Sequence, residues 1–183
     1  MKELSLNILD ITMNSVKAGA KNISITLTET NKTLAIIIED DGCGMTKEQL
    51  VRLSDPFFTT RTTRKVGLGI PFYRLAAEQT GGYVEVTSVS ENDNPRNHGT
   101  VVTALFYTNS IDFTPLGDII STVITLIQGS PNIDFYFSHT LINQHITLST
   151  KEMRQTLGDD VPLDSYDVLD WIKEYLNEQY NFR

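Results

Sequence analysis

A carboxylate and a side-chain amide lie four residues apart near the start of the chain. Asp10 and Asn14 fall within residues 2–18, where apolar residues recur at helical spacing. Residues four apart share one face of a helix. The amide oxygen of Asn14 suits Mg²⁺, and the carboxylate of Asp10 could orient or deprotonate a nucleophile. Two polar residues on a solvated helix face have the same spacing, so the pattern alone leaves both interpretations open.

A glycine-rich acidic turn follows directly after an apolar strand. Residues 39–45 read Glu-Asp-Asp-Gly-Cys-Gly-Met. Asp40, at the end of the strand, can accept a hydrogen bond from an exocyclic amine, and Gly42 and Gly44 allow the backbone to approach a flat base closely. An ordinary acidic turn has the same composition. A calcium loop fits less well, because the alternating oxygen ligands and the distal glutamate of an EF-hand are missing.

A second glycine turn, formed by Gly67, Leu68 and Gly69, opens a further predicted helix. Backbone N–H groups at such a turn can bind phosphate, although many turns of this kind are simply helix starts. Three basic residues just upstream are able to reach phosphate charge: Arg61, Arg64 and Lys65. The segment that carries them, residues 54–66, is polar and aperiodic, so we predict a lid that is mobile without nucleotide and ordered by it.

The elements that must position these motifs follow from the periodicity between them. In chain order we predict a helix, an antiparallel hairpin, a short helix, the lid, a long helix and two strands: residues 2–18, 23–27 with 34–38, 47–53, 54–66, 70–80, 83–90 and 100–107. This order is typical of an α+β fold with helices layered on one face of a mixed, mainly antiparallel sheet. Later segments predict a helix, a hairpin and two helices: residues 115–128, 133–139 with 144–149, 150–157 and 164–180. We therefore expect a larger part, residues 1–109, and a helix-hairpin-helix appendage, residues 110–183, packed on it.

Composition and charge exclude several classes of protein. The net charge is −8, and residues 1–109 hold 12 acidic and 11 basic side chains, whereas residues 110–183 hold 11 and 4. Without basic clusters to neutralise phosphates, we expect no nucleic-acid partner. The apolar stretches are too short to cross a bilayer, so we expect no membrane partner. The single cysteine, Cys43, and three scattered histidines indicate a reduced, cytoplasmic protein without disulfides or a histidine metal site.

Taken together, the motifs resemble those of the histidine-kinase/gyrase/MutL ATPase superfamily, known as GHKL, over roughly residues 1–107. Asn-Ser-x-x-Ala-Gly-Ala and Asp-Asp-Gly-Cys-Gly-Met look like MutL, whereas Asp-Pro-Phe-Phe-Thr-Thr and Gly-Leu-Gly-Ile look like sensor histidine kinases. The resemblance implies a Bergerat-type α/β sandwich that binds ATP and Mg²⁺. The whole chain resembles small, stand-alone bacterial proteins called histidine-kinase-like ATP-binding proteins.

The family's functional residues carry over by position. Asn14 would hold Mg²⁺, Asp40 would bind the adenine amino group, and Thr100, after Gly99, would complete the hydrogen-bond network of the base. The full nucleotide site that the resemblance implies comprises Asn14, Lys17, Asp40, Gly42, Gly44, Met45, Arg64, Lys65, Gly67, Leu68, Gly69 and Thr100. Lys17 matches the histidine kinases and differs from the aspartate of MutL.

Asp10 occupies the position where MutL and gyrase have a catalytic glutamate, with a side chain one methylene shorter. Three functions share the site. The protein could be a kinase that passes the γ-phosphoryl group to a separate protein partner, an ATPase, or a nucleotide-gated interaction module whose residues 110–183 contact a partner. The retained carboxylate favours an ATPase or kinase with slow turnover. None of the histidines lies in a helical context suited to phosphoacceptance, so the acceptor is expected on another protein.

Overall fold

The computed structural model describes residues 3–54, 69–158 and 160–181. The helices in these ranges are α1 (Leu4–Lys17), α2 (Lys47–Ser54), α3 (Gly69–Gln79), α4 (Ile119–Gly129), α5 (Thr150–Leu157) and α6 (Tyr166–Asn181). The strands are β1 (Asn22–Glu29), β2 (Thr33–Asp40), β3 (Tyr83–Val89), β4 (Gly99–Tyr107), β5 (Asp134–Leu141) and β6 (Gln144–Ser149).

The strands form one six-stranded sheet in the order β3-β4-β2-β1-β5-β6. Neighbouring strands are antiparallel except β1 and β5, which run parallel. The β5–β6 hairpin therefore continues the sheet that β1 to β4 begin. The predicted α+β class, a Bergerat-type sandwich with a mainly antiparallel sheet, is confirmed.

Alternating side chains explain why the helices cover one face of the sheet. Ile36 and Ile38 of β2 are buried beneath the helices, while Ile37 between them is exposed on the other face. A strand with this alternation can bury only one of its faces. The helices α3, α1, α4 and α6 follow one another across the buried face and share a single apolar core with it.

The segment before α4 differs from the prediction, which began this helix at residue 115. Gly117 has a φ of +77°, which a continuing helix does not allow, and the Asp118 side chain accepts a hydrogen bond from the Ser121 N–H at 2.9 Å as an N-cap. The carbonyls of Pro115 and Leu116 instead accept hydrogen bonds from the first amides of α1. Residues 115–118 thus join α1 to α4.

Two further sequence predictions concern membrane spans and the division of the chain into two parts. In the described part of the chain, no helix is long and apolar enough to span a membrane. The division into residues 1–109 and 110–183 stays a prediction, although β5 pairs with β1 along seven residue pairs and places part of the second segment inside the common sheet.

Candidate nucleotide-binding site

Asp40 is held at the end of β2 by two hydrogen bonds. Its Oδ2 accepts from the Ser15 hydroxyl on α1 at 2.6 Å, and its Oδ1 accepts from the Gly42 N–H at 2.9 Å. The side chain is only 9% exposed. A carboxylate has about four acceptor positions, so two remain for a ligand. The arrangement presents a fixed acceptor at the sheet end, as recognition of an exocyclic amine requires.

Thr100 lies opposite Asp40 in the β2–β4 register, and Ser88 of β3 lies opposite Thr100. Directly opposed residues of antiparallel strands project from the same face. The Ser88 hydroxyl is 2.8 Å from the Thr100 hydroxyl, donates to the Gly99 carbonyl at 2.8 Å and accepts from the Met45 N–H at 2.8 Å. Because the Ser88 proton is used on Gly99, Thr100 donates to Ser88 and keeps its own lone pairs available.

The glycines of this region are required by the protein's own packing. A Cβ on Gly42 would lie 2.9 Å from the Ala18 Cβ on α1. Gly44 has a φ of +64°, and a Cβ there would lie 1.9 Å from the Val89 carbonyl oxygen. A residue with a Cβ is therefore strained or blocked at both positions, whether or not a base is bound.

Asp41 shares the turn with Asp40 but points toward β1. Its carboxylate accepts from the Lys21 N–H at 2.7 Å, the Asn22 N–H at 2.9 Å and the Asn22 side-chain amide at 2.7 Å. Burial raises the pKa of Asp41, but these hydrogen bonds outweigh burial and lower its pKa below the ordinary value. Asp41 is thus an ionised brace between β1 and the turn, a role the sequence analysis did not assign.

Asp10 faces the start of α3. A Cβ built on Gly69 would lie 3.6 Å from the Asp10 Cβ and 3.9 Å from its Oδ2, so the two residues are neighbours across the α1–α3 contact. Asp10, Asn14 and Lys17 are exposed on α1. The carboxylate of Asp10 therefore lies beside the first turn of the helix that the sequence predicts to bind phosphates.

Several predicted residues fall outside the described ranges. These are Arg61, Arg64, Lys65, Gly67 and Leu68, together with all of the predicted lid except Ser54. Ser54 is the last residue of α2. The assignments of these residues to phosphate binding stay predictions.

Three side chains that the sequence analysis missed contact the turn or the neighbouring acceptors directly, although they are distant in the sequence. Ser15 bonds Asp40, and Ser88 bonds Thr100. The Nδ1 atom of His98 lies 2.6 Å from the Gly42 carbonyl oxygen, to which an Nδ1–H can donate. Ser15 is 25 residues from Asp40, and His98 is 56 from Gly42. The only sequence signal was the position of Ser15 directly after Asn14.

Among the residues that the structure describes, no three His, Cys, Asp or Glu side chains are grouped so as to hold a metal ion. An Mg²⁺ ion bound with phosphates needs only one or two protein oxygens, since phosphate and water supply the other ligands. The exposed amide of Asn14, one turn along α1 from Asp10, fits such a ligand.

The six-stranded sheet covered by helices on one face is the fold of the GHKL class of ATPases. The sequence profile described as histidine kinase-, DNA gyrase B-, and HSP90-like ATPase matches residues 1–110, and the chain belongs to this family. It therefore contains a kinase-type ATPase domain that binds ATP.

Similar proteins include two bacterial sensor kinases. The probable C4-dicarboxylate sensor kinase of Bacillus subtilis (strain 168) is 35% identical over 74 residues, which are 40% of this chain and 14% of that protein. The sensor histidine kinase ZraS of Escherichia coli (strain K12) is 31% identical over 83 residues, 44% of this chain and 18% of that protein. The chain thus matches less than a fifth of the length of either relative.

A solved structure extends the likeness in fold. The N-terminal domain of a DNA repair protein superimposes with a TM-score of 0.56 at 15% identity, covering 81% of this chain and 53% of that chain. The family profile covers 110 of the 183 residues, or about 60%. The shared fold therefore reaches beyond residue 110.

Proposed function

We propose that this chain binds ATP with Mg²⁺ and either hydrolyses it slowly or passes the γ-phosphoryl group to a separate protein. The observation that carries the proposal is the position of the Asp10 carboxylate beside Gly69, on the same helix, α1, whose Ser15 holds Asp40.

Helix α1 contributes residues to both parts of the proposed site. Ser15 bonds Asp40, and Asp10 faces Gly69, so the two contacts are five residues apart on one helix. Five residues correspond to a rise of about 7.5 Å. The same five residues rotate by about 140°, so Asp10 lies on a different side of α1 from Ser15. In the proposal, an adenine held at Asp40 extends its phosphates around α1 toward Asp10 and the N-terminus of α3, where the helix dipole favours negative charge.

The base would be recognised by two acceptors. The free lone pairs of Asp40 suit the exocyclic amine of adenine, and the Thr100 hydroxyl oxygen lies on the same sheet face. The hydrogen bond from Ser15 to Asp40 and the hydrogen bond from Thr100 to Ser88 hold both acceptors in place before ligand arrives. Preorganisation of this kind reduces the entropy that binding costs.

The site needs a cation because its described side chains are mainly acidic. Asp10 and Asp40 are carboxylates, and Lys17 is the nearby basic residue on α1. Asn14 would supply the protein ligand for Mg²⁺, whose chemistry there is to neutralise phosphate charge as it develops.

In the reaction, Asp10 would accept a proton from a water or a protein hydroxyl. The oxygen of that group bonds to the γ-phosphorus while the bond from phosphorus to the β–γ bridging oxygen breaks, and ADP leaves with the electron pair. The side chain of Asp10 is exposed and one methylene shorter than glutamate, so we expect slow turnover.

Transfer to a separate protein is favoured by the surroundings of the three histidines of the chain. His139 is buried, with its two nitrogens 2.6 Å from the Tyr180 hydroxyl and 3.1 Å from a Glu29 carboxylate oxygen. His98 bonds the turn at Gly42, and His145 contacts a neighbouring threonine hydroxyl at 2.9 Å. All three lie on strands or a loop and are engaged by neighbours.

An alternative proposal is a nucleotide-gated interaction module. It is favoured by the parallel β1–β5 pairing, which connects the ATP-binding part directly to the acidic residues 110–183. Nucleotide that orders the site could then alter how this second segment meets a partner.

The test is ATP hydrolysis and transfer with γ-labelled ATP, using Asp10→Asn, Asp10→Glu and, as a control with the same charge change, Asp112→Asn. Asp10→Asn should lower the rate by about 100-fold or more with ATP affinity retained, because loss of a general base costs on the order of 10²–10⁴. The control should be unchanged. Wild-type rates in Asp10→Asn, with binding confirmed by calorimetry, would remove Asp10 from the mechanism and favour the interaction module.

A further inference from the structure

A half-exposed tryptophan lies on the outer side of α6, far in sequence from the nucleotide motifs. Trp171 is the only tryptophan of the chain and is 51% exposed. Tryptophans are usually well covered, because their large apolar surface is costly to leave in water. An exposed one on a rigid helix is therefore a candidate contact residue.

The ring of Trp171 is held in place by its neighbours. It stacks on Tyr175 with centroids 5.3 Å apart and planes 13° apart. The Tyr175 hydroxyl donates to the Thr147 carbonyl at 3.3 Å, on the edge strand β6. One face of the indole is thus covered by Tyr175, so a preformed aromatic surface is offered beside the sheet edge.

Carboxylates surround this surface. At about 100° per residue, Asp167, Glu174 and Glu178 lie within about 60° of Trp171 around the helix axis. All three are exposed, and each makes no hydrogen bond or ion pair with the residues that the structure describes. Their charges are therefore available to a partner.

The one basic residue of α6 does not neutralise them. Lys173 lies about 160° from Trp171 around the helix axis. Hydrogen bonds from Ser121, and then the charge of Lys173, lower the pKa of Asp118 at the start of α4, which places the lysine on the α4 side. The aromatic side of the helix therefore stays acidic.

We infer that the Trp171 surface, defined as Trp171, Tyr175, Asp167, Glu174 and Glu178, docks a basic protein segment that bears arginine or lysine. A guanidinium over the free indole face gains a cation–π interaction, and the flanking carboxylates pair with its charge. An anionic membrane or a nucleic acid would be repelled by the same carboxylates. The surface lies on α6 and does not depend on bound nucleotide.

The single tryptophan makes the test direct. Titration of the full chain with a capped hexa-arginine peptide should change the fluorescence of Trp171 saturably, and the affinity should fall as salt is raised, because the contact is charged. A capped hexaglutamate peptide should produce no change. Saturable binding of the acidic peptide, or no response to hexa-arginine, would overturn the inference.

Matched variants separate a specific surface from general charge attraction. The triple variant Asp167→Asn, Glu174→Gln, Glu178→Gln should bind hexa-arginine about tenfold or more weakly, since it removes every flanking charge. The control triple Glu91→Gln, Asp93→Asn, Asp112→Asn makes the same change in net charge at exposed sites elsewhere. Equal weakening in both triples would mean non-specific attraction and would overturn the inference.

Trp171→Ala, followed by calorimetry, should weaken hexa-arginine binding with the melting temperature retained, and unchanged affinity would remove the aromatic contact. Concentration-dependent dimerisation in sedimentation that shifts Trp171 fluorescence without peptide would show instead that a second copy covers the surface. Asp40→Asn should bind hexa-arginine like the wild type, so a failure of the nucleotide site and a failure of this surface are distinguishable.

Discussion

Replacing Asp40 by asparagine tests the adenine-binding assignment with little change in side-chain size. In the folded protein Oδ1 accepts the Gly42 N–H at 2.9 Å and Oδ2 accepts the Ser15 hydroxyl at 2.6 Å. An amide oxygen can replace only one carboxylate oxygen as acceptor. We expect it to keep the bond to Gly42, because a backbone N–H cannot reorient, so that the new NH₂ group faces Ser15 and the ligand.

The expected loss is larger for binding than for folding. The adenine amine and the new NH₂ group are both donors, so ATP binding loses a charge-assisted hydrogen bond worth about 1.5–3 kcal/mol. At about 1.4 kcal/mol per factor of ten, affinity should fall roughly 10- to 150-fold. The Ser15 hydroxyl can rotate to accept from the amide, so the free energy of unfolding should fall by only about 1 kcal/mol.

Asp41→Asn is the matched control, because it removes the same charge one residue away. The Asp41 carboxylate is bonded to Lys21 and Asn22 and points toward β1. We expect its substitution to lower stability while ATP affinity stays within about a factor of two, the usual range for a change outside a contact.

Calorimetric titration with ATP and Mg²⁺ measures affinity, and urea unfolding measures stability, for the wild type and both variants. We expect Asp40→Asn to lower mainly affinity and Asp41→Asn to lower mainly stability. Wild-type affinity in Asp40→Asn would refute the adenine assignment. An equal loss of affinity in both variants would show that charge near the turn, rather than the Asp40 acceptor, determines binding.

Three further predictions concern stability. Gly44→Ala should lower the free energy of unfolding in urea by more than about 2 kcal/mol, because φ is +64° and the Cβ would lie 1.9 Å from a carbonyl oxygen; Gly19→Ala, at φ +78° with nothing within 4 Å, should cost about 1 kcal/mol. Hydrogen bonds from Ser121 lower the pKa of Asp118 in the folded protein. The ionised carboxylate therefore stabilises the folded protein fully at pH values above the pKa of Asp118 in the unfolded chain, and this stabilisation is lost as the pH falls through the lower pKa of the folded protein. Asp118→Ala should therefore cost about 1 kcal/mol near pH 7 and progressively less below about pH 4 in urea titrations at each pH. Ending the chain at Tyr107 leaves β1 without β5 and should lower the melting temperature or cause aggregation; a soluble fragment with unchanged melting and ATP affinity would contradict this.

The helices and strands of the described ranges were predictable because each element buries one face, and burial of one face requires apolar residues at regular spacing. The strand prediction 34–38 corresponds to Thr33–Asp40, and the helix prediction 164–180 corresponds to Tyr166–Asn181. Alternation and helical spacing are local properties, so they appear in the sequence. The start of α4 was predicted four residues early, because apolar spacing continued past Gly117. The positive φ of this glycine and the cap at Asp118 set the boundary.

The amino-acid sequence by itself determined the elements, the order of the motifs and, through them, the ATPase family that residues 1–110 match. The tertiary structure alone decided that β5 pairs in parallel with β1, that Ser15 holds Asp40, and that Asp10 lies beside Gly69. These contacts join residues far apart in the chain, and they form only when the helices pack on the sheet and strands close long loops. Such contacts leave no periodic pattern in the sequence. The local pattern of each helix or strand is compatible with more than one packing arrangement, so it does not determine which elements meet.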